Sequence, residues 1–243
     1  MEPPVEFFKP WHLNPPYAFK TFTCDPDLSG PQYVRSQPMV SWHINRDFDF
    51  LKGVQLPNKT KELSWITSTK RFLEGHKKRM RFLHAINGEI EQLDVLGGGV
   101  YPINGVMARK QNEEEKNNLG FKPIADKWEG LAAYKYSLAI ENAVITDYWT
   151  EKIADCFLAW TLPIYYGCPN LEEYFPKESF IRIDIENPQE AINIIEESLR
   201  NDPWESRLPA IIEARRRVLY KYQLFPAIAR HILAIEKDST GKK

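Results

Sequence analysis

The sequence predicts an α/β fold built on a doubly wound parallel sheet, and three observations carry that prediction. The chain has 243 residues, 43% of them hydrophobic, enough to bury a sizeable core in one large domain or two modest ones. From Glu62 onward, short apolar runs alternate with stretches of helical period, the pattern of parallel strands covered by helices on both faces. At least one of the helices has a well-marked start, with Asn187 at the N-cap, Pro188 at the first helical position and Glu190 three residues after the cap.

Taken in order, residues 63–67 read as the first strand. Residues 71–87 read as a helix whose Phe72, His76, Arg79, Leu83 and Ile86 share one apolar face, being spaced four and three apart. Residues 92–96 form a second strand that ends in Gly97, Gly98 and Gly99, and the polar residues 110–118 form an exposed loop or helix. A short helix is expected at 128–134, then a strand at 136–140, a helix at 151–160 and strands at 163–166 and 180–183. After Pro203 the chain reads as helical to about Lys237, with Arg215, Arg216 and Arg217 on a solvated face. Residues 1–60 differ from this pattern. Their prolines cluster and no helical period lasts more than a turn, so they are expected to be loop-rich, the remnant of a domain.

Lys plus Arg total 32 against 33 for Asp plus Glu, so no overall field draws the chain to nucleic acid or to an anionic membrane, and any anion site must be local. The longest apolar runs fall short of the roughly 20 residues of a membrane span, and the start of the chain lacks the basic and apolar regions of a secretory leader. The expectation is a cytoplasmic chain whose membrane contact, if any, is peripheral. Cys24, Cys156 and Cys168 are odd in number and lack metal-binding spacing, which points to reduced thiols. No HExxH or similar pair joins the five histidines, so no catalytic metal is expected. Asp25-Pro26-Asp27 reads as an Asx or Pro turn rather than a metal-binding DxD.

In a doubly wound sheet ligands bind beyond the carboxyl ends of the strands, so the residues just after each strand hold the candidates. Glu141 and Asn142 end one strand. Asp147, Tyr148 and Trp149 then lead to Thr150, an N-cap whose helix points free N–H groups at the same crevice, an arrangement that attracts phosphate. Lys152 stands in the first turn, where a cation opposes the helix dipole unless an anion is near, with Glu151 beside it in partial compensation. A capped surface helix with an ordinary Glu and Lys is the other reading. Arg79 falls inside an apolar stripe, where a guanidinium needs a partner: a ligand phosphate, or a structural carboxylate, or solvent at the stripe's edge. Gly97 and Gly98 would let a sugar or phosphate approach the backbone closely, though a plain tight turn is the alternative.

Residues 134–170, YKYSLAIENAVITDYWTEKIADCFLAWTLPIYYGCPN, resemble the signature of glycosyltransferase family 10, the α-1,3/1,4-fucosyltransferases. The family pattern runs roughly YKFxLxFEN, YVTEK and LxAxxxPVxxGxP, matched here at residues 134–142, 148–152 and 158–169. Arg79, residues 82–87 and the glycines at 97–99 follow the family's order upstream, and the resemblance covers roughly residues 61–200. It implies an inverting transferase of GT-B fold, with a Rossmann-like donor domain at 61–243 including the C-terminal helices, and an acceptor-side remnant at 1–60. It also implies GDP-fucose as donor, a glycan acceptor and no required cofactor or metal. Arg79 and Lys152 would then stabilise the leaving diphosphate, Asn142 and Tyr148 would hydrogen-bond phosphate or fucose, and Glu151 the ribose. Phe121 is similar in place to an aromatic near guanine. The family's general base lies in a Glu-Ser-Pro-like motif, whose nearest counterpart is Glu2. Only about 60 residues precede the donor domain, so a noncatalytic or truncated nucleotide-sugar-binding module is the alternative.

Overall fold

A computed structural model of the chain describes residues 20–97 and 113–240. Two short parallel strands, β1 (Thr21–Thr23) and β2 (Tyr33–Arg35), precede α1 (Phe48–Gly53), which Asp47 caps by accepting the Phe50 N–H at 2.8 Å. Then come β3 (Lys61–Thr67), α2 (Glu74–Ile86), β4 (Leu93–Gly97), α3 (Glu113–Asn118) and α4 (Glu129–Ala132). β5 (Tyr134–Ile140), α5 (Glu151–Leu158), β6 (Leu162–Tyr166) and β7 (Ile181–Arg182) complete the main sheet. The chain continues through α6 (Pro188–Asn201) and α7 (Trp204–Arg217), a π-helical turn at Val218–Tyr222, and α8 (Leu224–Thr240).

The five-stranded sheet has the order β4-β3-β5-β6-β7, and every pair in it is parallel. The chain steps outward from β3 to β4, then returns to lay β5 on the other side of β3. The winding therefore reverses between β3 and β5, and the crevice of a doubly wound sheet opens above their carboxyl ends. The expected α/β architecture is the one observed. β5 and β6 are buried almost throughout, and Trp65, Tyr136, Phe157, Tyr165 and Phe175 are fully enclosed. Each such side chain contributes on the order of 1.5–3 kcal/mol of transfer free energy. The described part of residues 20–60 packs on the same body: Val40 bridges Gln223, Arg35 pairs with Asp147 at 2.6 Å, and the His43 N–H donates to Asp155 Oδ1 at 3.1 Å.

Several sequence expectations are corrected. The first long helix starts at Glu74 rather than Arg71, and Phe72, expected on its core face, is 59% exposed and packs edge-on to His76. Asn187 does occupy the N-cap of α6, but its side chain donates to Glu190 Oε2 at 2.7 Å instead of accepting a backbone N–H. The three arginines of α7 are not a solvated face. Arg215 stacks 3.7 Å over the Trp160 ring and donates to the carbonyls of Leu158 and Leu51. Arg217 donates to Tyr174 O and pairs with Glu213, and Arg216 alone of the three fits the expectation of an exposed ion pair. Periodicity misses the contacts to Trp160, Leu158, Leu51 and Tyr174 because those partners lie more than 40 residues away. The Asp25 turn is as expected, with Asp25 Oδ1 accepting the Asp27 N–H at 3.0 Å.

The far end of α5 is held by Lys59, whose Nζ donates to Ala159 O at 2.7 Å, Thr161 Oγ1 at 3.1 Å and Leu131 O at 3.4 Å. A cation suits a helix C-terminus, and it satisfies carbonyls that the helix leaves without partners. Burial nevertheless pushes the Lys59 ammonium down to about 7. From about pH 7 upward the unfolded chain therefore holds a proton that the native chain releases, so this group makes stability rise with pH. Urea unfolding between about pH 7 and 9 should show a steeper rise for the unaltered protein than for Lys59→Met. Parallel curves would refute this account.

Candidate functional site

The site lies above the carboxyl ends of β3 and β5. β5 ends in Glu141, whose side chain is fully buried. Its Oε1 accepts the Thr150 N–H at 2.8 Å, and its Oε2 accepts the Thr150 hydroxyl at 2.7 Å and the Lys152 ammonium at 3.3 Å. The carboxylate expected to face the crevice instead ties the end of the strand to the start of α5. Thr150 is the N-cap as expected, its Oγ1 accepting the Lys152 N–H. Gly167 makes room for this knot: it has φ +154°, and a Cβ there would lie 2.5 Å from Glu141 Cγ.

Lys152 Nζ lies within 3.1 Å of Thr150 Oγ1, 3.3 Å of Glu141 Oε2 and 3.4 Å of Glu151 Oε1. Burial works against its charge, but Glu141 and Glu151 outweigh that and hold the ammonium above its ordinary range. Burial likewise opposes ionisation of Glu151, yet Lys152 and Lys127 bring its carboxyl down to about 2. Glu151 is therefore ionised at neutral pH. Its buried Oε2 has no hydrogen-bond partner among the described residues, so it is an acceptor available to a donor such as a sugar hydroxyl.

Arg79 reaches over the end of the sheet from α2. It is 6% exposed and donates to Asn142 Oδ1 at 3.0 Å, and to Ser68 Oγ and O at 3.3 and 3.4 Å. The helix that carries it is fixed at its start, where the Leu73 N–H donates to His76 Nδ1 at 3.3 Å. Burial, with Arg79 beside it, brings the imidazole down to about 4, so His76 is neutral at physiological pH and free to accept. Gly75 lets the same turn press against the β5–α5 loop, since a Cβ there would lie 1.7 Å from Asn142 O.

Arg79 and Lys152 line one small cavity of about 30 Å³, together with Thr67 at the end of β3 and Ile140 at the end of β5. Lys127, which precedes α4, lines it too. The Thr67 hydroxyl is buried and has no hydrogen-bond partner among the described residues. A wider cleft of about 390 Å³ is bordered by Asn142, Gly75, Lys78, Val144, Tyr166 and Glu186. Two cations from different helices thus line the small cavity where the winding reverses, and its volume is about that of a single water.

Of the other candidates, Gly97 ends β4 with φ +138°, and a Cβ there would lie 2.2 Å from Thr67 O, so the glycine serves the close approach of β4 to β3. Phe121 is half-buried beside that strand end, where Lys122 bridges Leu96. Tyr148 is fully buried in the loop before α5. Glu2 and Gly98 lie outside the described residues. The sequence reading missed Lys127, Thr67 and the two glycines at 75 and 167. Nothing local marks Lys127, whose partner Asp155 is 28 residues further on.

Comparison with known proteins is consistent with this geometry. The model of "Glycosyltransferase family 10 (fucosyltransferase) C-term" matches residues 56–203. The chain belongs to glycosyltransferase family 10. It is 40% identical over 81 residues to the α-(1,3)-fucosyltransferase FucT of Helicobacter pylori, covering 33% of this chain and 17% of that protein. It is 33% identical over 95 residues to the GDP-fucose protein O-fucosyltransferase 3 of Xenopus laevis, covering 38% and 20%. The matched stretch thus spans about a fifth of each of these curated relatives. A solved α1,3-fucosyltransferase with GDP-fucose superposes with a TM-score of 0.51 at 17% identity, over 86% of this chain and 74% of that one. A glycosyltransferase from Rickettsia africae superposes at 0.55 with 10% identity, over 85% and 57%. These superpositions establish the GT-B-type fold of this family 10 chain. Among the described residues, no helix is long and apolar enough to cross a membrane.

Two substitutions test how this family 10 site is held. Gly75→Ala drives a methyl into the Asn142 carbonyl and should destabilise the fold by about 2–4 kcal/mol in urea unfolding. Glu141→Gln leaves one acceptor oxygen for three donors and should cost roughly 1–3 kcal/mol by the same measurement. Wild-type midpoints in either variant would contradict the packing described.

Proposed function

We propose that this chain binds GDP-fucose as the donor side of an inverting fucosyltransferase, with the diphosphate held between Arg79 and Lys152. The observation that carries the reading is the convergence of those two cations on one cavity at the ends of β3 and β5. Family membership and relatives whose names include GDP-fucose support the choice of donor. In such a reaction an acceptor hydroxyl gives its proton to a general base and attacks the anomeric carbon in line, as the bond from that carbon to the β-phosphate oxygen breaks. Negative charge grows on the departing diphosphate, and cations already in place stabilise it without reorganising. Asn142, oriented by Arg79, donates its amide N–H to phosphate or sugar. Glu151 would accept from donor hydroxyls through its Oε2, which the chain encloses and which has no hydrogen-bond partner among the described residues. The acceptor is a hydroxyl on a glycan, and the similarity to protein O-fucosyltransferases makes a protein side chain the second class to assay.

Isothermal calorimetry should show GDP and GDP-fucose binding to the unaltered chain with similar affinity. Arg79→Ala and Lys152→Ala should each weaken binding about 10–100-fold, the worth of a charge-assisted bond to phosphate. Absence of GDP binding to folded protein would refute the reading.

A further inference from the structure

Three ammonium or guanidinium groups line the small cavity, and their hydrogen-bonding states differ. The three donors of the Lys152 ammonium face Glu141, Thr150 and Glu151. Lys127 Nζ also has three donors. Among the described residues it makes one hydrogen bond, to Asp155 Oδ2 at 2.6 Å. Its side chain is 19% exposed while that of Asp155 is fully buried, so the ammonium stands between the protein interior and the cavity. Asp155 is itself fixed, accepting the His43 N–H through both oxygens at 3.1 and 3.3 Å. The lysine is therefore held by a rigid anchor, with two donors to spare.

Its electrostatic reach agrees with that placement. Burial works against the charge on Lys127, but Asp155 and Glu151 keep the ammonium above its ordinary range. Lys127 in turn acts on both Lys152 and Glu151, repelling the first and stabilising the second as a carboxylate. Glu141, Glu151 and Asp155 offset these cations from the protein side, and the donors of Lys127 that they leave unused border the cavity.

We propose that Lys127 is a direct ligand of the nucleotide's diphosphate, its Nζ donating to a phosphate oxygen while Asp155 holds the ammonium in place. The proposal rests on the nucleotide reading above and adds a third cation to it. Lys127 borders the same cavity as Arg79 and Lys152, with two donors that no described residue accepts.

Removing the lysine alone strands a buried carboxylate, so the decisive variant is the pair Lys127→Met with Asp155→Asn. It removes both charges and leaves an amide oxygen to accept the His43 N–H. Calorimetry with GDP should show binding weakened at least about tenfold in the double variant, with Lys127→Arg nearer to wild type. A double variant that folds and binds GDP within about twofold of wild type overturns the proposal. A second measurement needs no variant: acetic anhydride labelling of the unaltered chain, mapped by peptide mass spectrometry, should be slower at Lys127 with saturating GDP. Unchanged labelling of Lys127 while GDP is bound also overturns it. If the unaltered chain fails to bind GDP, the underlying nucleotide reading falls instead.

Discussion

The carboxylate of Glu141 is the constraint on which the rest of the site depends. It sits at the last position before the chain leaves β5, buried where an unpaired charge would be costly. Three donors converge on it: the Thr150 N–H, the Thr150 hydroxyl and the Lys152 ammonium. A single side chain thereby fixes the exit of the strand, the cap of the next helix and the position of Lys152. The surroundings are built to accept it, with Gly167 leaving the space that any Cβ would occupy. Lys152 can sit at the positive end of α5 because two carboxylates accompany it, which resolves the apparent conflict between its charge and the helix dipole.

A second tether completes the arrangement from the other side of the strand reversal. Arg79 travels with α2, yet its guanidinium ends on Asn142 in the loop after β5. Gly75 allows the first turn of α2 to lie against that loop's backbone. The cations are thus set by contacts among β3, β5, α2 and α5, elements linked by the densest strand pairing in the molecule, and the pocket inherits the stiffness of the sheet.

Much of this was legible in the sequence, and the rest was not for identifiable reasons. Alternating apolar runs gave the order of strands and helices, because burial on both faces leaves that signature in any parallel sheet. Thr150 was readable as a cap, and Arg79 stood out as a charge within an apolar stripe, because both are anomalies over a single helical turn. Glu141 was legible only as the end of a strand, since a carboxylate there looks the same whether it faces a ligand or a hidden hydroxyl. Arg215 and Lys127 were hidden for a different reason. Their partners lie 57 and 28 residues away, and no local pattern encodes such distances. Gly75 is an unremarkable letter until the backbone opposite it is in place, and Gly167 belongs to the family pattern without the letters showing what it makes room for.

The lysine beneath α5 has a mechanical consequence. With Glu141 gripping the top of that helix and Lys59 clasping its base, the rod is pinned at both ends and cannot act as a piston. The binding proposed for the crevice would then take place beside a helix held at both ends.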